Sequence, residues 1–267
     1  MSTLETSPFT GAELAEIPLP RAPLALVVAQ IRFPVIASIA SAEFIAPFQE
    51  ALRAEYPIMR QEQQMALAFG PQGPIQQEHG ILWRLQEADA GWSVVLAPDF
   101  MAIETAHYTS RADFMARWDK AMNAVQALAN PAVFERLGIR YVNRLTGDDA
   151  TVNLPRLVRS EILGPLAIEL PEASTADSSA TQIHFKLNDL QMQVRWGRVP
   201  GGLLMAPGVQ PVDESSFLLD LDVYMEGITP FDTTRITEIS RTSADHAYRF
   251  FRWAVEDEFI TRFGGQL

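Results

Sequence analysis

Residues Phe134–Leu145, FERLGIRYVNRL, alternate in a way that restricts the kind of layer they can occupy. Successive side chains on a strand point to opposite faces of the sheet. Period two puts Leu137, Ile139, Tyr141 and Leu145 on one face, and Arg136, Arg140 and Arg144 on the other, around Gly138 and Val142. One face must meet an apolar layer, and the other carries a row of guanidinium groups. A sheet built on this strand is covered by helices on one side and charged on the other, which predicts an α+β protein.

The flanking segments fit that layer. LALVVAQIRF (24–33) reads as a buried strand. A helix follows, with Pro47 in its first turn, Phe48, Leu52 and Tyr56 on one face, and Pro57 as its stop. Four runs with strand character come next: MALAFG (65–70), GILWRLQ (80–86), WSVVLA (92–97) and FMAIETAHY (100–108). Polar turns between them, PQGP, EADAG and Pro98-Asp99, predict an antiparallel meander. Ser110 with Asp113 then opens a helix in the manner of a capping box. Phe114, Trp118, Ala121, Met122, Val125 and Leu128 form its apolar stripe, and Asn130-Pro131 ends it.

From Phe134 the order recurs. A strand is followed by a helix (NLPRLVRSEIL) and four strand candidates, LAIEL (166–170), TQIHFKL (181–187), MQVRWGRV (192–199) and FLLDLDVYM (217–225). A terminal helical region carries Ala247, Phe250, Phe251, Ala254 and Val255. Ile31-Arg32-Phe33 aligns with Ile139-Arg140-Tyr141, and WRL at 83–85 with VRW at 194–196. The expected architecture is an irregular arm over 1–22 and two pseudo-repeated halves, 23–133 and 134–267, in one integrated domain. Each half is strand–helix–four strands–helix, giving curved antiparallel sheet backed by helices in a TATA-binding-protein-like topology. Such a likeness of fold carries no function.

ERLGIRYVNRL resembles the hallmark of a sporadically distributed family of uncharacterised bacterial proteins. The resemblance extends to LVVAQIRFP, FQEALRAEYP, WSVVLAPDFMAIETAHYTSRADF, FLLDLDVYMEG and WAVEDEFITRF, and so covers most of the chain. It implies a bacterial, cytosolic, single-chain module and brings no activity with it. Patchy distribution implies horizontally moving accessory genes, such as defence or toxin–antitoxin neighbourhoods.

Composition narrows the chemistry. The formal charge of −12, from 33 acidic and 21 basic residues, opposes sequence-independent attraction to nucleic acid or anionic membrane. With no cysteine, disulfides, thiolate catalysis and cysteine-bound zinc or iron–sulfur centres are excluded. The N-terminus lacks the basic segment and apolar run of a signal peptide. No segment approaches the roughly 20 apolar residues of a membrane span, so a cytoplasmic location is expected.

The arginine row has two readings. Arg140 and Arg144, with Arg32 and Arg195, could recognise a carboxylate or phosphate, groups that a guanidinium fork binds in bidentate fashion. Tyr141, Asn143, Asp220 and Asp222 stand nearby in the chain. The competing expectation, which is the stronger, is a cross-strand lattice of these arginines with Asp220, Asp222, Glu226 and Glu104. Asp220-x-Asp222 has no third ligand at local spacing, so no metal is expected. His79, His107, His184 and His246 match no metal or triad spacing; Ser243 before His246 reads as a helix start, and His184 is the histidine best placed for a test. VPGGLLMAPGVQP (199–211) lacks a phosphate-loop pattern and reads as a hairpin loop. Its Leu203, Leu204 and Met205 either form a docking tip or pack back on the sheet. HAYRFFRWAVEDEFITRF is apolar around much of its circumference and fits a core position or a homodimer contact. Its Arg249 and Arg252 are expected to pair on the surface with Glu256, Asp257 and Glu258.

These features predict a non-enzymatic interaction or accessory protein, without a cofactor, steered by its acidic surface to a basic protein partner. The alternative is a protein that binds a small anionic ligand or nucleotide through the arginine row, or an enzyme acting on one. Nucleic-acid binding ranks last.

Overall fold

The structure, a computed structural model, describes residues 7–10, 14–70, 73–203 and 206–267, without the side chains of 64–79. Nine strands form one sheet: β1 (Leu24–Arg32), β2 (Ile58–Gly70), β3 (Gly73–Gln86), β4 (Trp92–Ala97), β5 (Phe100–Thr105), β6 (Val133–Thr146), β7 (Thr181–Leu187), β8 (Leu190–Val199) and β9 (Ser216–Pro230). Their order is β2-β3-β4-β5-β1-β6-β9-β8-β7. Every neighbouring pair is antiparallel. The described helices are α1 (Ala42–Leu52), α2 (Arg111–Leu128), α3 (Leu154–Leu157), α4 (Ser160–Leu163), α5 (Thr233–Ala254) and α6 (Asp257–Arg262).

Alternation along the central strands decides which side the helices cover. Val27, Ala29 and Ile31 of β1 and Leu137 and Ile139 of β6 are fully buried, in one cluster with Trp118 and Val125 of α2 and Ala247 of α5. β1 pairs with β6 across a chain separation of more than a hundred residues, with Ala29 opposite Ile139 and Ile31 opposite Leu137. Ser110 caps α2 as its sequence predicts, its hydroxyl accepting from the Asp113 amide at 3.2 Å. The stripe below is buried as far as Val125, whereas Leu128 is 36% exposed.

Several expectations are corrected. LAIEL is not a strand: residues 164–167 form a 3₁₀ turn, and 168–170 have no regular structure. Pro165 and Pro171 fence this segment and remove ladder donors at both ends. Three strands, not four, therefore follow β6 before α5. NLPRLVRSEIL forms two single-turn helices, α3 and α4, separated at Val158 and Arg159. Pro47 lies in the second turn of α1, which starts one residue after the Ser41 cap. The carbonyl it leaves without an amide partner belongs to Glu43, on the exposed side of the helix. The terminal helical region breaks at Val255, which bridges to Val158. There Arg159 N donates to the Ala254 carbonyl and Glu256 N to the Leu157 carbonyl. Arg249 is buried and pairs with Asp245 one turn earlier at 2.6 Å, not with the later acids.

Ile139→Ala is expected to lower unfolding free energy by about 2–5 kcal/mol. Leu128→Ala should cost about 1 kcal/mol or less. Urea denaturation of both variants measures the contrast.

Candidate ligand-binding site

On the open face of the sheet the arginines are engaged. Arg140 donates to both oxygens of Asp220, at 2.7 and 2.9 Å, and Arg195 donates to the same carboxylate at 2.6 Å. Asp220 is only 2% exposed. Arg136 donates to Asp222 at 2.9 Å, lies 3.8 Å from Glu226, and sits 4.4 Å above the Tyr224 ring. Gly138 makes this close stacking feasible, since a Cβ there would lie 3.0 Å from both Arg136 Nη1 and Tyr224 Cβ. Arg84 pairs with Glu62 and Glu104. Arg32 reaches Asp99 only at 3.8 Å and remains half exposed.

The loop after β8 folds back over this face. Ala206 and Val209 are buried against Val142, Val199 and Leu218. Arg140 also donates to the Pro207 carbonyl at 2.8 Å, and Arg144 to the Gln210 carbonyl at 2.6 Å. Leu203 is 60% exposed; Leu204 and Met205 lie outside the described residues. Arg136, Arg140 and Arg195 thus form an ion-pair lattice with Asp220 and Asp222, whereas Arg144 serves only to pin the loop and Arg32 stands apart beside Asp99.

Tyr141 and Asn143 do not join that cluster, because alternation turns them to the helix-covered face. There they line a cavity of about 140 Å³ bounded by Leu221 of β9, Tyr248 and Phe251 of α5, the start of α2, and arm residues 16–19. Asn143 is 6% exposed, and its side chain lines the cavity. The Tyr108 and Tyr141 rings meet edge to face at 5.9 Å. Burial raises both hydroxyl pKa values, that of Tyr141 to about 12, although the Arg111 charge lowers it in part. Both phenols are therefore neutral donors at neutral pH. Arg111 lies 5.0 Å from the Tyr248 ring and 3.8 Å from Asp245. Its Nη2 is buried with no hydrogen-bond partner among the described residues.

Tyr108, Arg111, Tyr248 and the arm were invisible as a group in the sequence. The available signals were a cationic first residue after the Ser110 cap and a tyrosine just before it. Among the histidines, His184 is exposed on the edge strand, within 2.7 Å of Gln182 and 3.1 Å of Gln193, and His246 is part-buried on α5. The His107 ring packs so close to Gly91 that a Cβ there would meet its Nδ1 at 2.4 Å, and the His79 side chain lies outside the described residues. No group of three or more metal-ligating side chains occurs among the described residues. No protein-family model matches the chain, and no curated protein does.

Asp220→Ala leaves two arginines without their shared counter-ion and is expected to cost about 3–5 kcal/mol in urea unfolding. Arg32→Ala should cost no more than about 0.5 kcal/mol. Asp222 gives a pH signature. Burial pushes its carboxyl up, against the opposing charges of Arg136 and Arg140. A carboxyl with a raised folded pKa favours the fold below its unfolded value, and that contribution is lost as pH rises through the folded value. Asp222→Asn should flatten the stability profile in the acid range just above the ordinary carboxylate pKa, read by unfolding at stepped pH.

Proposed function

We propose that this protein binds a small molecule with an apolar body and a polar head in the cavity over Tyr141 and Asn143, as a non-enzymatic binding or accessory protein. The cavity, with the Asn143 amide and the unpartnered Arg111 Nη2 among its lining groups, carries this reading. Leaving a buried donor such as Arg111 Nη2 unsatisfied costs about 1–3 kcal/mol, and a ligand with a complementary head recovers it. The apolar wall of Leu24, Leu221 and Phe251 receives the body. A volume near 140 Å³ lies below the roughly 300–1,000 Å³ of pockets for drug-sized molecules, which favours a compact metabolite over a nucleotide. The engagement of Arg140 and Arg195 with Asp220 weighs against recognition by the arginine row.

Titration with benzamide, benzoate and hexanoate, followed by calorimetry and thermal shift, tests the proposal. At least one is expected to bind, with Asn143→Leu weakening it about tenfold or more and Arg144→Ala on the opposite face leaving it unchanged. Binding lost in Arg144→Ala and kept in Asn143→Leu would return the site to the arginine row.

An apolar groove of about 480 Å³ beside the β7 edge supports a second role, docking of a protein partner. It is lined by Phe9, Ile183, Phe185, Trp196, Phe250 and Trp253. A basic partner fits the net charge of −12. In this reading the chain is a bacterial, cytoplasmic accessory module, in keeping with its ERLGIRYVNRL resemblance. No described helix is long and apolar enough to cross a membrane.

We also propose that the two halves are a duplicated unit related to the TATA-binding-protein-like topology. Counting outward from the central β1 and β6, one side runs β5-β4-β3-β2 and the other β9-β8-β7, and long helices close both halves. That symmetry supports the duplication. The WRL and VRW tripeptides do not add to it, since Trp83 lies on β3 and Trp196 on β8, strands at different distances from the centre.

A further inference from the structure

Glu16 is the acidic side chain nearest the donors at the cavity rim. Its Oε2 accepts from the Arg111 backbone amide at 3.3 Å, and its Oε1 accepts from the Tyr108 hydroxyl at 3.3 Å. The Arg111 amide is one of the first amides of α2, which have no acceptor inside the helix and sit at its positive end. The helix already has its own cap in Ser110, so Glu16 is not needed to start it. Both contacts lie at the long end of the hydrogen-bond range, and Glu16 is exposed. A carboxylate held this way is easily displaced.

The segment that delivers Glu16 is held by side chains on either side of it, Ile17 and Leu19 packing against the core as Phe9 does upstream. Residues 14–19 have no helix or strand. Ile17 N donates to the Tyr248 hydroxyl at 2.8 Å, and that hydroxyl donates to the Ala15 carbonyl at 3.2 Å. Further along, Arg21 N donates to the Phe263 carbonyl at 3.2 Å and its side chain to the Arg262 carbonyl at 2.9 Å. The arm thus lies as a strap, tied at Ile17 and Arg21, with the exposed Glu16 side chain laid over the rim.

Resting on the ligand-binding reading above, we infer that the natural ligand is a small carboxylate and that Glu16 is its built-in competitor, occupying the head-group position until the ligand displaces it. Two observations converge on an anion. One is the Glu16 carboxylate seated on Arg111 N and the Tyr108 hydroxyl. The other is the guanidinium of Arg111, whose buried Nη2 lacks a hydrogen bond among the described residues and which lines the same cavity as Asn143. A carboxylate ligand accepts the donors that Glu16 now uses, and the strap over residues 14–19 is displaced to admit it.

A competitor that fills its site nine-tenths of the time weakens apparent affinity about tenfold. Calorimetric titration of benzoate and its neutral counterpart benzamide into wild type and Glu16→Gln tests this directly. Benzoate is expected to bind Glu16→Gln about tenfold more tightly than wild type, with benzamide unaffected. Hydrogen exchange of residues 14–19 in wild type should rise with saturating benzoate and not with benzamide. Equal or weaker benzoate binding to Glu16→Gln, or unchanged exchange on saturation, overturns the competitor while leaving an Asn143-dependent cavity standing. If neither probe binds either protein, the cavity reading falls as well.

Discussion

Arg140 and Arg195 close on one carboxylate, that of Asp220, and this three-residue contact ties the middle of the sheet together. Arg140 comes from β6, Asp220 from β9 and Arg195 from β8, so one buried anion locks three adjacent strands. The charge lies under two guanidinium groups and the returning loop, whose Pro207 carbonyl takes a further Arg140 donor. Removing water from these groups is costly, and only the near-complete pairing makes the arrangement stable. Arg136 with Asp222, and Arg84 with Glu104, extend the same pattern along the face. Cations that hold strands and a loop are poorly placed to receive a ligand.

With the open face committed to structure, the unfilled polar capacity lies on the other side of the same strand. Residues 140 and 141 are neighbours in the chain, yet one serves the lattice and the other lines the cavity. Around Tyr141 and Asn143 the enclosure is completed by parts remote in sequence, as the Ile17 contact with Tyr248, 231 residues away, makes plain. α2 begins at the rim of that space, where the Arg111 amide meets Glu16. The arm partly fills that space, and so the cavity and its closure are one construction.

The two-faced character of β6 was legible residue by residue, and so were the β4–β5 hairpin, the Ser110 cap and the acids that meet the arginine row. Each depends on local geometry: a period, a turn dipeptide or a capping hydroxyl. The misreadings had tertiary causes. LAIEL has strand-like residues, but its flanking prolines and Gly164, at φ +50°, turn it into a short 3₁₀ segment. The long C-terminal apolar pattern continues past Ala254, yet the helix breaks at Val255, where the Ala254 carbonyl accepts from Arg159 N and the Glu256 amide donates to the Leu157 carbonyl. Tyr141 and Asn143 were grouped with arginines that the structure places on the opposite face.

Alternation by itself determined that this chain builds an antiparallel sheet with a dry face and a charged face, because side-chain direction on a strand follows from covalent geometry. It also determined that thiolate chemistry is absent, since that needs a residue the chain lacks. Only the tertiary structure decided which acids reach which arginines, that Asn143 lines a cavity, and that Glu16 arrives beside Arg111. Those outcomes depend on segments from both ends of the chain meeting at one rim, and no local pattern encodes the distance between them.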